Sequence, residues 1–219
     1  MATLRDFAVW VTQHTPAAAD TLIEQGIQRA ARDFARRTNI LQLHIVPTLG
    51  VAPEFNLTVP ADTDISRILS AGWGTRNLQL AAVGDIRAPA AHASATILLT
   101  PPSGPPTTLY QNSPTAQTVR LWPMPSAADM AANPFFVVAA VAPTSDAVVF
   151  NDILLDDYND AIAASAIAWI MRIPGQVFTN PVAARDFHAE YEAAVVSARR
   201  DSRVGRTQTS QRVQPRRFA

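Results

Sequence analysis

The sequence predicts an α+β chain: a helical bundle made of one N-terminal and two C-terminal helices, a central inserted β domain, and an extended C-terminal arm. Three observations predict it. Thirteen of the seventeen prolines lie between residues 47 and 143, so long helices belong to the flanks. Each flank carries apolar residues at spacings of three and four, whereas the middle alternates apolar and polar residues over short runs. Residues 199–219 hold seven arginines against Asp201 alone, a net of +6, while residues 1–198 hold eleven arginines against seventeen carboxylates, a net of −6. Formal neutrality thus hides an acidic body and a basic tail, an asymmetry that marks an interaction tail.

Residues 1–39 supply the first part of the bundle. Thr15 and Pro16 join a cap to a first-turn proline, and Ala19, Leu22, Ile23, Ile27, Ala30 and Phe34 follow as one stripe, which predicts a helix over 16–38. Its other side carries Arg29, Arg32, Asp33, Arg36 and Arg37, a solvated face with Arg29 and Asp33 placed to pair at i, i+4. Residues 40–150 are the β insertion, a sandwich or a partly open barrel. Strands are predicted at 41–46, 54–60, 65–71, 77–83, 94–100, 116–123 and 135–141, and TPPSGPPTT (100–108) is an exposed loop.

Residues 151–202 complete the bundle. Asn151 or Asp152 caps a helix over 152–173 with Leu155, Tyr158, Ile162, Ala166, Trp169 and Ile173 as its stripe, and Pro174 and Gly175 stop it. Asn180 and Pro181 start a last helix over 181–200 whose Ala184, Phe187, Tyr191, Val195 and Ala198 face inward. The 152–173 helix is so rich in alanine that neighbouring backbones can approach closely. Ala161, Ala164 and Ala168, with Tyr158 and Trp169 anchoring the ends, are therefore candidates for a subunit interface or a tight bundle. Residues 203–219 form the arm.

Composition and spacing narrow the chemistry. Without cysteine there is no disulfide, thiolate metal site or cysteine nucleophile. His14, His44, His92 and His188 show no ligand spacing, and HAE at 188–190 lacks a second histidine four positions on. DILLDDYND (152–160) lacks the glycine and final glutamate of a calcium loop, so its carboxylates read as complements to the helix dipole and as an acidic face. GWG at 72–74 reads as a turn, and no Gly-x-Ser-x-Gly elbow occurs. Trp10, Trp73, Trp122 and Trp169 read as core or interface aromatics. No catalytic residue, cofactor or metal ligand is assigned and the chain is read as no enzyme, although a cleft in the β insertion keeps that alternative open. No apolar run reaches the roughly 18 residues of a membrane span, and Asp6 interrupts the N-terminal segment where a signal peptide would be apolar, so the expected protein is soluble, not secreted and not membrane-bound.

The tail then carries the functional reading. Arg203, Arg206, Arg212, Arg216 and Arg217 are interspersed with Val213 and Phe218, and a segment that orders on a partner uses such apolar anchors together with arginine forks. The alternative is a nucleic-acid-binding module that places the same arginines on phosphates. Against it, the tail lacks interleaved stacking aromatics and the body is acidic.

Several windows resemble one family, the head-to-tail adaptor (connector) proteins of tailed bacteriophages. IEQGIQRAARDFARRTNI (23–40) looks like the family's first long helix, and VPADTDISRILSA (59–71) looks like its Leu-Pro-x-Asp strand start. Residues 154–199 are similar to its acidic helix, Met/Ile-Pro-Gly turn, Asn-Pro cap and aromatic final helix, ahead of an Arg-Arg-Phe end. The windows follow the family's order; residues 72–150 carry none. The resemblance implies a structural virion protein of the head–tail junction, made in the bacterial host's cytoplasm. It implies a homo-oligomeric, dodecameric ring under the portal protein that extends the channel and receives tail nozzle or tail completion proteins. DNA then passes without sequence-specific binding, and an acidic body avoids the grip that a basic lining would exert by counterion release. In such a ring the bundle helices make the subunit contacts and the arm from Arg203 to Ala219 docks on the portal.

Overall fold

The computed structural model describes residues 2–49, 54–81, 104–111 and 117–204. The expected strand at 94–100 and the arm residues Arg206, Arg212, Val213, Arg216, Arg217 and Phe218 lie outside these. The fold is mixed α+β with open sheets. Two compact units divide the chain: one takes in the described residues within 1–41, 62–64 and 142–219, the other those within 42–61 and 65–141.

The first unit is mainly helical and begins with an element that the sequence reading omits. Helix α1 (Leu4–His14) buries Leu4, Phe7 and Val11, a stripe at spacings of three and four. It starts where the backbone N–H and hydroxyl of Thr3 both donate to the Asp6 carboxylate, at 2.7 and 2.8 Å. The expected helix start at Thr15 is corrected. Thr15 closes α1 instead, its N–H and hydroxyl both donating to the Val11 carbonyl at 3.0 and 2.9 Å. Pro16 is the cause, because the residue before a proline is pushed out of the helical region. Helix α2 (Asp20–Thr38) begins later, leaves Ala19 exposed, buries Ile23, Ile27, Ala30 and Phe34, and ends on Asn39 in the left-handed conformation at φ 53°.

The expected continuous helix over 152–173 is also corrected. It is α4 (Asp152–Asp156) followed by α5 (Asn159–Ile170), with the break at Asp157 and Tyr158. Asp, Asn and Tyr are mediocre helix formers, and several adjacent carboxylates repel one another across this stretch. The break rephases the chain so that Leu154 is buried in place of Leu155, and it lays Tyr158 against Phe34 with ring centroids 5.0 Å apart. Asn151 is the cap, accepting the Ile153 N–H at 3.0 Å. After α5 the turn is held by the Thr179 hydroxyl, which donates to Ile173 at 2.6 Å, and by the Asn180 N–H, which donates to Met171 at 3.0 Å. Helix α6 (Pro181–Val204) starts where the sequence predicts, with the Asn180 side chain accepting the Ala183 N–H at 3.1 Å. It runs past residue 200, so Arg203 belongs to a helix and not to an extended arm.

Helix α5 is the centre of this unit. It packs on α1, α2 and α6, and α2 also packs on α6, so the three predicted helical segments do pack together. A two-stranded sheet of β1 (Ala2–Thr3) and β11 (Val149–Phe150) lies in the same unit, where Phe150 packs edge-on to Phe7 at 5.6 Å.

Apart from the first two residues of β5 and the last two of β10, the other unit holds β2 (Gln42–Ile45), β10 (Phe135–Pro143), β5 (Thr63–Trp73) and β6 (Arg76–Asn77), which form one sheet in that order. The strands β3 (Thr48–Leu49), β4 (Glu54–Asn56), β9 (Thr118–Trp122), β8 (Thr108–Tyr110) and β7 (Gln79–Ala81) form a second sheet. Both sheets give side chains to one apolar core that includes Ile45, Phe55, Trp73, Leu109, Leu121 and Val137. Helix α3 (Ala127–Ala132), capped by Ser126, corrects the expectation that this stretch holds only strands and turns; it is short enough to fit between Pro125 and Pro134. Thr108, expected to end an exposed loop, instead opens strand β8, which the sequence reading does not predict, and Pro106 just before it is buried. The turn at Gly74 has φ +57°, whereas Gly72 lies inside β5, where a Cβ would meet the Phe136 ring at 2.2 Å.

Candidate functional site

In the helical unit, the arginines of α2 face a groove of about 490 Å³ whose other walls come from α5, α6 and the turn after α5. Five arginines line it, Arg29, Arg32, Arg36, Arg37 and Arg172, against one carboxylate, Asp33. They differ in what they touch. Arg37 is fixed by a bidentate bond to Glu192, with its two terminal nitrogens 2.7 and 2.6 Å from the carboxylate oxygens. Its guanidinium also lies over the Tyr191 ring at 5.5 Å. Arg32 reaches Asp64 at 3.6 Å, with its buried Nε lacking a hydrogen-bond partner among the described residues. Arg29 lies over the Trp169 ring at 5.6 Å. Arg29, Arg36 and Arg172 are exposed and have no carboxylate partner among the described residues.

Electrostatics favour one protonation state each at Arg37, Glu192 and Tyr191. The hydrogen bonds from Arg37 hold the Glu192 carboxyl below its ordinary value, and Glu192 in turn raises the Arg37 guanidinium further above its own. Burial pushes the Tyr191 hydroxyl well above the usual phenol range, and its 2.6 Å bond to Asp33 adds to the shift. The hydroxyl therefore stays a donor. These groups hold charge and shape in place, which suits docking better than proton transfer.

The residues predicted from sequence are distributed as follows. Ala161, Ala164 and Ala168 are buried within the chain's own bundle, Trp169 is half-buried in the groove wall, and Tyr158 is half-buried at the opposite end of α5. Arg203 is exposed in the last turn of α6. Among the described residues no group of three or more His, Asp or Glu side chains is arranged to hold a metal ion, and no helix is long and apolar enough to cross a membrane.

A family model, that of the SU10 adaptor protein, matches residues 2–216. The chain belongs to that family. No curated protein matches it. As an SU10 adaptor family member it is a bacteriophage structural adaptor, a virion component that interacts with other head and tail proteins, and its family points to a structural and not an enzymatic role.

The adaptor's arginine face was legible in the sequence but its pairing was not. Asp33 pairs with Arg37 at 3.6 Å and accepts from Tyr191, in place of the expected bond to Arg29. Tyr191 already stood in the inward stripe of α6, and a buried hydroxyl needs a hydrogen-bond partner; that Asp33 is the one depends on how α6 lies against α2.

Proposed function

We propose that this adaptor assembles as a dodecameric ring under the portal protein, extends the DNA channel, and receives tail nozzle or tail completion proteins. The bundle helices make the ring, and the C-terminal arm, from Arg206 through Arg212, Val213, Arg216 and Arg217 to Phe218, docks on the portal. Tyr158 and Trp169 are the anchors of α5 that still have surface to offer a neighbouring copy; Ala161, Ala164 and Ala168 contribute by letting the protomer's own helices pack tightly beside them.

The observation that carries this reading is the family match over nearly the whole chain, which takes in the helices, the strands and most of the arm. Helix α6 supports it, because its exposed Arg199, Arg200 and Arg203 continue the tail's positive charge onto a rigid element that leads into the arm. Single-particle imaging of the protein alone and with a purified portal tests the proposal. Rings capping one face of the portal are expected. Monomers that leave the portal bare at high protein concentration sink it.

A further inference from the structure

We infer that the arginine groove receives the acidic turn between α4 and α5 of a second copy of this chain, so that each copy docks head-to-tail on the next. The inference rests on the ring reading above and names the contact that would build it.

Arg29 and Arg172 are exposed cations of the groove with no carboxylate among the described residues to neutralise them, and Trp169 beneath Arg29 holds that guanidinium in place. Guanidinium forks bind carboxylates bidentately, as Arg37 already does with Glu192 a few turns away. The same unit presents Asp156 and Asp160, both exposed, on either side of the break between α4 and α5. One copy cannot bring the two together. Helices α2 and α5 run antiparallel, with Gly26 beside Ile170 and Trp169 and with Phe34 beside Tyr158. Arg29 and Arg172 therefore gather at one end of α5, and Asp156 and Asp160 at the other, about 18 Å away for twelve residues at 1.5 Å each.

Two complementary patches on opposite ends of one rigid helix make a heterologous contact, and repeated heterologous contacts close into a ring when the rotation permits. Nucleic acid is the poorer occupant. Asp33 lies within the groove, and Glu192 and Asp64 tie up two neighbouring arginines, so a run of phosphates would meet carboxylates among the cations. A protein surface with two spaced carboxylates needs only two of the unpaired arginines and no contact at Asp33.

Sedimentation velocity of the full chain at low and high ionic strength tests the contact. Wild type should associate, and less so in high salt. Arg29→Glu with Arg172→Glu, and separately Asp156→Arg with Asp160→Arg, should each weaken association roughly 100-fold with helical circular dichroism unchanged. Combining all four substitutions should restore it, an outcome that damage to the fold would not give. Neutral Arg29→Gln with Arg172→Gln should fall in between. If the charge-reversed pairs associate like wild type, or the four-fold variant fails to recover, the contact is wrong while the ring reading survives on the portal imaging. A wild-type chain that stays monomeric in low salt overturns the contact too. So does a duplex oligonucleotide that binds wild type and loses its affinity with the Arg29 and Arg172 variants while self-association persists.

Discussion

Glu192 joins α6 to α2 through Arg37, and both side chains keep partial access to water, at 41 % and 30 %. Solvent screening limits such a pair to about 0.5–1 kcal/mol, even in bidentate geometry. Because the Glu192 carboxyl is held below its ordinary value, this contribution is complete above the unfolded carboxylate range, near pH 4.3, and is lost as pH falls through the folded value. Glu192→Gln should therefore lower stability by about 1 kcal/mol at neutral pH, and the gap from wild type should close near pH 2. Urea denaturation at both pH values measures it, and a gap that persists in acid would assign the effect to packing. At Tyr191 the prediction separates hydroxyl from ring. Tyr191→Phe removes the 2.6 Å bond to Asp33, which keeps its contact with Arg37, so the loss should be about 1 kcal/mol. Tyr191→Ala empties a site that is 1 % exposed and should cost about 3–5 kcal/mol. Equal losses in the two variants would mean that the ring contributes nothing beyond the bond.

At the scale of elements, α5 shows what its alanines are for. Ala161 to Ala164 and Ala166 to Ala168 are all buried, so the helix is enclosed on nearly every side, as a helix apolar all round should be. Helix α2 comes close at Gly26, where a Cβ would lie 3.3 Å from Ile170 Cδ1. Ala164→Leu should overpack this bundle and lower stability by about 1–3 kcal/mol, read as a drop in thermal midpoint of the isolated protein. Were Ala164→Leu to leave the midpoint unchanged and only impair assembly, Ala164 would belong to a subunit interface. The elements themselves were unevenly legible. Helix α6 announced its start through Asn180 and Pro181, because a cap and a proline act locally. The division of α4 from α5 was hidden, since Leu155 and Tyr158 continue a good helical stripe and only the packing of Tyr158 on Phe34 fixes the other phase.

For the whole molecule, the basic tail is expected to serve attachment and not the stability of the helices. Ala198 is the last buried residue among those whose burial is described, and α6 runs on to Val204. Removing residues 205–219 should leave circular dichroism and the thermal midpoint unchanged while abolishing attachment to portal-bearing heads. The cut belongs after Val204, because one at residue 203 would shorten α6 itself. Phe218→Ala should weaken attachment more than Thr209→Ala, since a buried aromatic anchor carries more binding energy than a small polar side chain. A truncated protein that still joins the portal with undiminished affinity would reduce the tail to a solvating end.

The sequence by itself determined the α+β class, the helical flanks, the strands around Phe55, Val119 and Val137, and the division into acidic body and basic tail. These follow from periodicity, proline placement and charge, all of which act within a few residues. Only the tertiary structure decided that Arg37 and not Arg29 meets Asp33, and that Arg29 lies over Trp169. Those outcomes depend on which helix faces which, and α2 and α6 meet across some 150 residues of intervening chain, a relation that no local pattern encodes.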